Sequence, residues 1–184
     1  PAQTMDHYQI GIGSNIEFIE EIPSAITHGA EHIGLYRTEF LYIYRDDLPS
    51  EEDHFNNYRQ VVTEKNLAWA TIRTFDLGGD KFTKYQKKDK ELNPQMGLRA
   101  IRFCLKEIEI FKTQLRAIWR VSALGKVKIL FPMISGIEEI REAKRLMEET
   151  RRELVAEGVK IADRMDIGAM IEVPAAAVIA DQLA

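Results

Sequence analysis

The sequence predicts an α/β fold in which parallel strands alternate with helices. Short apolar stretches with strand character alternate five times with segments of helical apolar spacing. No signal for a hairpin turn joins two strands, and no repeat occurs at a fixed period. In addition, polar or charged residues stand at or just past the C-terminal ends of four predicted strands: Asn15, Arg37, Arg73 and Glu172.

Such alternation fits either an open doubly wound sheet or a (β/α)8 barrel. The polar strand ends favour the barrel, because the strands of a barrel turn their C-terminal ends to one rim, where active sites lie. A complete barrel typically takes roughly 250 residues, whereas this chain has 184. We therefore expect a partial (β/α)8 TIM barrel with about five of its eight βα units.

Start and stop signals place the first helices between the strands. The first helix carries isoleucines at helical spacing from residue 16 and ends at Gly29. Ser50, with acidic residues directly after it, begins the next helix. A short helix follows Pro94, and a longer one with a continuous apolar face ends at Gly125.

The C-terminal half carries two more helix starts. Ser135 and Glu138 have the spacing of a capping box and begin a helix that ends near Gly158. Pro174 stands in the first turn of the last helix, where proline is tolerated. The five predicted strands are residues 8–12, 33–35, 69–73, 127–131 and 167–171.

The composition limits the class of protein. Of the residues, 45% are hydrophobic and 29% are charged, which is typical of a single globular domain. The net charge of -4 leaves no basic excess for nucleic acid, and no apolar stretch approaches a membrane span. A single cysteine, Cys104, excludes an internal disulfide and suits a reducing cytoplasm. Because the chain begins with Pro1 and has no signal peptide, we expect it to start inside a longer gene product.

Residues 70–81, ATIRTFDLGGDK, form the stretch on which a candidate binding site depends. Arg73 ends a short buried strand, and Gly78 and Gly79 follow it, ahead of Lys81. Paired glycines let a ligand approach the backbone, and a guanidinium and an ammonium on either side of such a turn form a cradle for phosphate. The alternative is a glycine turn between a strand and a solvated loop, and this short motif does not decide between the two.

The strand ends together offer several cations and one carboxylate to a single rim. Each residue has an alternative on its own: Arg37 could pair with Glu39, Arg99 could be solvated, and Glu172 could pair with an arginine instead of binding a metal. Taken together, they match what a small polyanion with a divalent metal requires. Mg²⁺ is usually bound by one or two carboxylates and by phosphate oxygens of the substrate. The pattern therefore favours phosphoryl-transfer chemistry.

Five sequence blocks extend over nearly the whole chain. They are GLYRTEFLY (34–42), RTFDLGGDK (73–81), NPQMGLRAIR (93–102), LFPMISGIEEI (130–140) and IEVPAAAVIA (171–180). In these blocks, their order and their spacing, the chain resembles enzyme I, the phosphoenolpyruvate–protein phosphotransferase of the bacterial sugar phosphotransferase system. The resemblance implies a C-terminal phosphoenolpyruvate-binding (β/α)8 barrel.

The resemblance also implies an activity and a set of site residues. Enzyme I moves the phosphoryl group from phosphoenolpyruvate to its own histidine, and then to a histidine phosphocarrier protein. By resemblance, Arg37, Arg73 and Arg99 belong to the phosphate-binding set, with Lys81 beside them, and Glu172 matches one of two carboxylates that hold Mg²⁺. The resemblance implies that the full-length enzyme is a homodimer, and the composition leads us to expect a cytoplasmic protein that binds neither nucleic acid nor membrane.

The chain departs from the pattern of the family at both ends. It stops at Ala184, ahead of the GTNDL-like motif that precedes the second metal carboxylate, and ahead of the family's substrate arginine and acid cysteine. The SHAA-like segment with the phosphorylated histidine is also absent. We therefore expect residues 1–184 to be an incomplete phosphoenolpyruvate-binding barrel domain, with no catalytic residue of its own and no turnover by itself.

Two other interpretations remain open at this point. The chain could belong to a related phosphoenolpyruvate barrel, such as pyruvate phosphate dikinase or phosphoenolpyruvate synthase. It could also be a non-catalytic α/β binding module whose arginines form salt bridges at the rim. The RTFDLGGDK block favours enzyme I among the barrels.

Overall fold

The computed structural model describes residues 2–43, 45, 47–78 and 97–184. Two short strands come first, β1 (Ala2–Gln3) and β2 (Gln9–Ile10). Five strands of one sheet follow: β3 (Gly13–Ile16), β4 (His32–Tyr36), β5 (Ala70–Arg73), β6 (Val127–Phe131) and β7 (Asp166–Ala169). The helices are α1 (Ile22–Thr27), α2 (Phe40–Ile43), α3 (Glu51–Val62), α4 (Ala100–Lys106), α5 (Ile108–Val121), α6 (Ile137–Ala156), α7 (Pro174–Val178) and α8 (Ala180–Leu183).

Strands β3 to β7 are parallel and stand in the order of the chain, each one pairing with the next. Ile72 lies opposite Ile129, and Leu130 lies opposite Gly168. A doubly wound sheet reverses its strand order at a switch point, and the described part of the chain has no such reversal. The predicted α/β class with a parallel sheet is confirmed. Among the described residues the sheet is open, with β3 and β7 as its edge strands.

Helices cover one face of the sheet. In β6, the side chains of Val127, Ile129 and Phe131 are buried, whereas Lys128 between them is only partly buried. The ring of Phe131 packs edge-on against Phe111 of α5, with 6.1 Å between ring centroids. Helix α5 contacts both α3 and α6, so three helices form a layer behind the strands. None of the described helices is both long and apolar enough to cross a lipid bilayer.

Several predicted helix ends are confirmed. Ser50 caps α3, since its hydroxyl accepts a hydrogen bond from the N–H of Asp53 at 3.2 Å and the Asp53 carboxylate accepts one from the N–H of Ser50 at 2.8 Å. Gly29 and Gly158 follow α1 and α6 with φ angles of 90° and 75°. Glycine adopts this left-handed conformation without strain, which explains where both helices stop.

The N-terminal segment differs from the prediction. The strand expected at residues 8–12 is present only as the short β2, which lies outside the parallel sheet, and the expected absence of a hairpin is wrong. Strands β1 and β2 pair in antiparallel fashion, with Ala2 opposite Ile10, and the parallel sheet begins only at Gly13. A Cβ atom at Gly13 would lie 2.5 Å from Nε2 of His32. Close approach to β4 therefore selects glycine here, so a segment that resembles a helix cap is a strand.

Two further boundaries shift by a few residues. The helix expected from residue 16 is instead a 3₁₀ turn (Ile19–Glu21) followed by α1. Pro23 in the first turn of α1 explains this start, because proline lacks the N–H that a longer helix would need there. Strand β7 ends at Ala169, so Glu172 lies three residues beyond the strand and not directly at its end.

The capping box predicted for α6 from Ser135 and Glu138 is not formed, and only its carboxylate half is present, one residue later. Gly136 is the N-cap residue, and Glu139, not Glu138, is its partner. The carboxylate of Glu139 accepts hydrogen bonds from the N–H groups of Ser135 at 2.6 Å and Gly136 at 3.1 Å. One carboxylate in the first turn of α6 thus accepts from the N–H groups of the two residues that precede the helix.

Candidate functional site

Arg73 lies at the C-terminal end of β5 and has only 9% of its surface exposed. Its guanidinium makes two ion pairs. Nη2 lies 2.8 Å from Oε1 of Glu39, and Nη1 lies 3.1 Å from Oδ2 of Asp76. Nη1 is also 3.8 Å from Sδ of Met170, directly after β7. Arg73 therefore connects the segments that follow β4, β5 and β7.

The carboxylate of Asp76 joins Arg73 to Arg99. Its Oδ1 lies 2.9 Å from Nη2 of Arg99, while its Oδ2 faces Arg73. Arg99 is the N-cap residue of α4, and the N–H of Ala100 donates to the carbonyl of Leu77 at 3.2 Å. That hydrogen bond holds the start of α4 against the loop after β5. Two guanidinium groups thus share one carboxylate, which we call the arginine cluster (Arg73, Asp76 and Arg99).

Glu39 pairs with Arg73 of the arginine cluster and not with Arg37. Burial raises the pKa of the Glu39 carboxyl, and the neighbouring Arg73 offsets only part of that rise. The alternative in which Arg37 pairs with Glu39 is therefore wrong. Arg37 is exposed after β4, its N–H donates to the carbonyl of Ile16 at 3.0 Å, and no described residue forms an ion pair with its guanidinium.

Arg99 and Arg102 have different partners, which explains how two arginines stand three residues apart. Nε of Arg102 lies 3.9 Å from Oε1 of Glu139, and its Nη1 donates to the carbonyl of Gly97 at 3.3 Å. Arg99 instead faces Asp76 and is mostly buried. The alternative in which Arg99 is simply solvated is wrong, because its positive charge is held by a carboxylate.

Glu172 lies after β7 and is exposed. Its Oε1 accepts a hydrogen bond from the N–H of Met133 at 2.7 Å. Met133 has a φ of 57°, and Ala100, next to Arg99, has a φ of 50°. Non-glycine residues in this left-handed region concentrate at binding and catalytic sites. In the described ranges, no three His, Cys, Asp or Glu side chains are grouped so that they could hold a metal ion.

The structure thus brings some of the predicted residues together. Arg73 and Arg99 both pair with Asp76. Arg37 and Glu172 follow β4 and β7, so all four lie at the C-terminal ends of the parallel strands. Lys81 lies in residues 79–96, which are outside the described residues.

A buried polar network lies beside the arginine cluster, and our sequence-based predictions do not include it. Gln114 of α5 accepts a hydrogen bond from the N–H of Phe75 at 3.0 Å and donates one to the hydroxyl of Tyr58 at 3.0 Å. His54 of α3 is buried beside Tyr58, and burial lowers its pKa to about 3. The signal for Gln114 is its position between Phe111 and residue 118 on the apolar face of α5. A polar residue there indicates a buried hydrogen bond.

Comparison with known proteins gives the family. The sequence matches the family described as "PEP-utilising enzyme, PEP-binding domain" over residues 1–184. The chain belongs to this family. Within it, the chain is 45% identical over 181 residues to the phosphoenolpyruvate-protein phosphotransferase of Geobacillus stearothermophilus, a match that covers 98% of the chain and 31% of the relative.

Two further relatives carry the same name. Identity is 44% over 184 residues with the protein of Bacillus subtilis (strain 168), and 47% over 185 aligned positions with that of Mycoplasma capricolum subsp. capricolum. Both matches cover 100% of the chain and 32% of the relative. The chain thus spans 31–32% of the length of these curated relatives.

Proposed function

We propose that residues 1–184 form the phosphoenolpyruvate-binding part of a phosphoenolpyruvate–protein phosphotransferase. In this proposal, the phosphoryl group passes from phosphoenolpyruvate to a histidine of the enzyme and on to a histidine phosphocarrier protein. The observation that carries the proposal is the arginine cluster at the C-terminal edge of the parallel sheet. The shared name of the relatives favours this function over a pyruvate phosphate dikinase, a phosphoenolpyruvate synthase or a non-catalytic module.

The arginines would bind the phosphate group. Guanidinium groups donate two parallel hydrogen bonds to phosphate oxygens, and Arg73 and Arg99 are held close together by Asp76. Nε of Arg73 is buried and has no hydrogen-bond partner among the described residues, so one donor of this guanidinium is left unsatisfied at the site. Arg37 at the neighbouring strand end and Lys81 would add positive charge. Charge neutralisation and positioning supply most of the rate in phosphoryl transfer.

The carboxylate oxygens of Glu172 could bind Mg²⁺ only together with oxygen atoms of a phosphate group. The N–H of Met133 engages one carboxylate oxygen of Glu172 and leaves the other for a cation. Mg²⁺ is commonly held by one or two carboxylates plus substrate phosphate oxygens. We therefore propose that Glu172 holds Mg²⁺ together with bound phosphoenolpyruvate, where the ion would neutralise phosphate charge.

The rest of the proposal concerns the assembled protein. The sequential order of β3 to β7 supports their assignment to a (β/α)8 barrel domain. We further propose a cytoplasmic enzyme that forms a homodimer, as the family resemblance implies.

The first test is the binding of phosphoenolpyruvate to Arg73→Ala. A charge-assisted hydrogen bond contributes roughly 1.5–3 kcal/mol, so loss of Arg73 should weaken binding about tenfold or more. Arg73→Lys keeps the charge without the planar fork and should weaken binding less. Titration calorimetry on the 184-residue chain measures both dissociation constants.

The control for Arg73→Ala is Arg141→Ala, which removes an exposed arginine of α6 paired with Glu138 at 2.7 Å. This variant should bind phosphoenolpyruvate as the wild type does. Equal affinity of the wild type and Arg73→Ala would contradict the proposed site.

The second test concerns the metal. Because one carboxylate is a poor Mg²⁺ site without phosphate oxygens, we expect weak binding of Mg²⁺ alone and at least about tenfold tighter binding when phosphoenolpyruvate is present. Glu172→Gln should abolish this increase. Calorimetric titration of Mg²⁺ with and without phosphoenolpyruvate measures it, and tight Mg²⁺ binding by the ligand-free chain would contradict the shared site.

A further inference from the structure

Beneath the arginine cluster lies a buried hydrogen-bond network centred on Gln114, which is 1% exposed. Oε1 of Gln114 accepts from the N–H of Phe75 at 3.0 Å. Its Nε2 lies 3.2 Å from Oγ1 of Thr38 and 3.0 Å from the hydroxyl of Tyr58. Oγ1 of Thr38 in turn donates to the carbonyl of Arg73 at 3.1 Å. Gln114 is thus linked to both peptide groups that flank Thr74.

Chemistry fixes the direction of these hydrogen bonds. A side-chain amide has two N–H donors and one acceptor oxygen. The N–H of Phe75 requires an acceptor, so Oε1 of Gln114 must face it and Nε2 must donate to Thr38. Because Oγ1 of Thr38 accepts that hydrogen bond, its own hydrogen is available for the carbonyl of Arg73. A flipped amide would set two donors against each other at Phe75, so one orientation alone satisfies the network.

We propose that Gln114 is a positioning residue for Arg73. It holds the N–H of Phe75 directly and the carbonyl of Arg73 through Thr38, and these two contacts set the direction in which the Arg73 side chain leaves the backbone. Gln114 would act through these backbone contacts and not by contact with the anion. This inference rests on the proposed function, in which Arg73 contacts the phosphate.

The first variant is Gln114→Leu, which has a similar volume and no hydrogen-bonding group. A small misplacement of a binding group has large effects, so the dissociation constant for phosphoenolpyruvate should rise roughly tenfold. The matched control is Thr150→Val. Thr150 is also fully buried, but its hydroxyl donates to the carbonyl of Leu146 within α6, away from the cluster. The control loses a buried hydrogen bond and should keep the wild-type affinity at temperatures where both variants are folded.

The second variant, Gln114→Glu, gives a pH profile that a merely structural role would not produce. A carboxylate has no donor, so at high pH the hydrogen of Thr38 turns toward it and leaves the carbonyl of Arg73. Burial raises the pKa of such a carboxyl, and protonation restores one donor. The ratio of the variant's dissociation constant to that of the wild type should therefore decrease as the pH is lowered from about 8 to about 5.5. A ratio that stays constant or rises on acidification contradicts the proposal.

A third measurement requires no ligand. The ¹H–¹⁵N signal of the Arg73 Nε–H should shift in Gln114→Leu and in Thr38→Val, and it should stay in place in Thr150→Val. Thr38→Val also serves if Gln114→Leu does not fold. If the wild type does not bind phosphoenolpyruvate, the proposed function fails and this signal still decides the positioning role. If Arg73→Ala loses affinity while Gln114→Leu binds normally with an unchanged signal, the proposed function stands and the positioning role is overturned.

Discussion

At the scale of single residues, His54 shows how burial fixes a protonation state. Its Nδ1 lies 2.9 Å from the hydroxyl of Tyr58, and its Nε2 lies 3.0 Å from the hydroxyl of Tyr42. With the ring hydrogen on Nε2, the Tyr58 hydroxyl donates to Nδ1 and the ring donates to the Tyr42 hydroxyl, while Tyr58 accepts from Gln114, so this tautomer satisfies all three contacts. Burial lowers the pKa of His54 from 6.5 to about 3, so the ring is neutral in the folded chain at neutral pH.

We expect this buried histidine to make the folded chain less stable as the pH falls below 6.5. In the unfolded chain the ring binds a proton near its ordinary pKa, whereas folded His54 stays neutral until about pH 3. The unfolded state then binds more protons, and the free energy of unfolding falls by up to ~1.4 kcal/mol per pH unit. His54→Gln should be less stable at neutral pH and should show a shallower slope between these values.

Urea unfolding at several pH values measures the slope for His54. His28→Gln, at an exposed histidine whose Nδ1 lies 2.8 Å from the carbonyl of Ser24, is the matched control and should keep the wild-type slope. An unchanged slope in His54→Gln would show that other groups cause the acid sensitivity.

The sequence identifies charged members of the site but not their pairing. Arg73 and Arg99 stand out because they follow a strand and begin a helix. Their bridge through Asp76 depends on the fold, since 23 positions separate Asp76 from Arg99. Glu39 shows that closeness in sequence can mislead, because it favours Arg37 as a partner whereas the carboxylate pairs with Arg73. Spacing along the sequence does not show which charged residues are close together in the folded chain.

At the scale of elements, Glu51 fastens α3 to α5. It lies in the first turn of α3, where its Oε2 is 2.5 Å from Nε of Arg116 and its Oε1 is 2.7 Å from Nη1 of Arg120. The Glu51 side chain is 26% exposed, so solvent screens these ion pairs only in part. Its charge also favours the helix N-terminus. We expect Glu51→Gln to lower the free energy of unfolding by about 1–2 kcal/mol.

Glu138→Gln is the control for Glu51→Gln. Glu138 also lies in the first turn of a long helix and pairs with an arginine, Arg141, but its side chain is 79% exposed. Exposed pairs contribute little, so we expect a loss below ~0.5 kcal/mol. Urea unfolding of the two variants measures the difference, and equal losses would mean that burial does not strengthen the Glu51 pairs.

Elements with both an apolar pattern and a start or stop signal are predicted well. Strand β6 covers the predicted residues 127–131, and α3 begins directly after Ser50, its predicted cap. The β1–β2 pair could not be predicted, because its turn places His7 at a φ of 68° where a glycine would have marked a turn. Strand β3 could not be predicted either, because Gly13 is required by its close contact with His32 and a glycine does not indicate a strand.

At the scale of the whole molecule, the described sheet has two strands with a free side, β3 and β7. Unpaired strand edges expose N–H and C=O groups that pair readily with other chains. Large apolar side chains are exposed near both edges: Ile10, Ile12, Ile167 and Ile171. Strand order could be predicted from the alternation of elements, because consecutive parallel strands tend to be neighbours. No local pattern of the sequence encodes what these two edges contact.

We expect the 184-residue chain to self-associate in solution through these edges. Burial of apolar surface contributes ~25 cal/mol per Å², so contact between exposed isoleucines favours association. Ile171→Lys places a charge on a side chain that is 50% exposed just after β7, and it should weaken association about tenfold or more. Val155→Lys, at a 53% exposed position on α6, is the control and should leave association unchanged. Light scattering over a wide concentration range measures this, and a monodisperse, cooperatively melting wild-type monomer would show that neither edge is available for pairing.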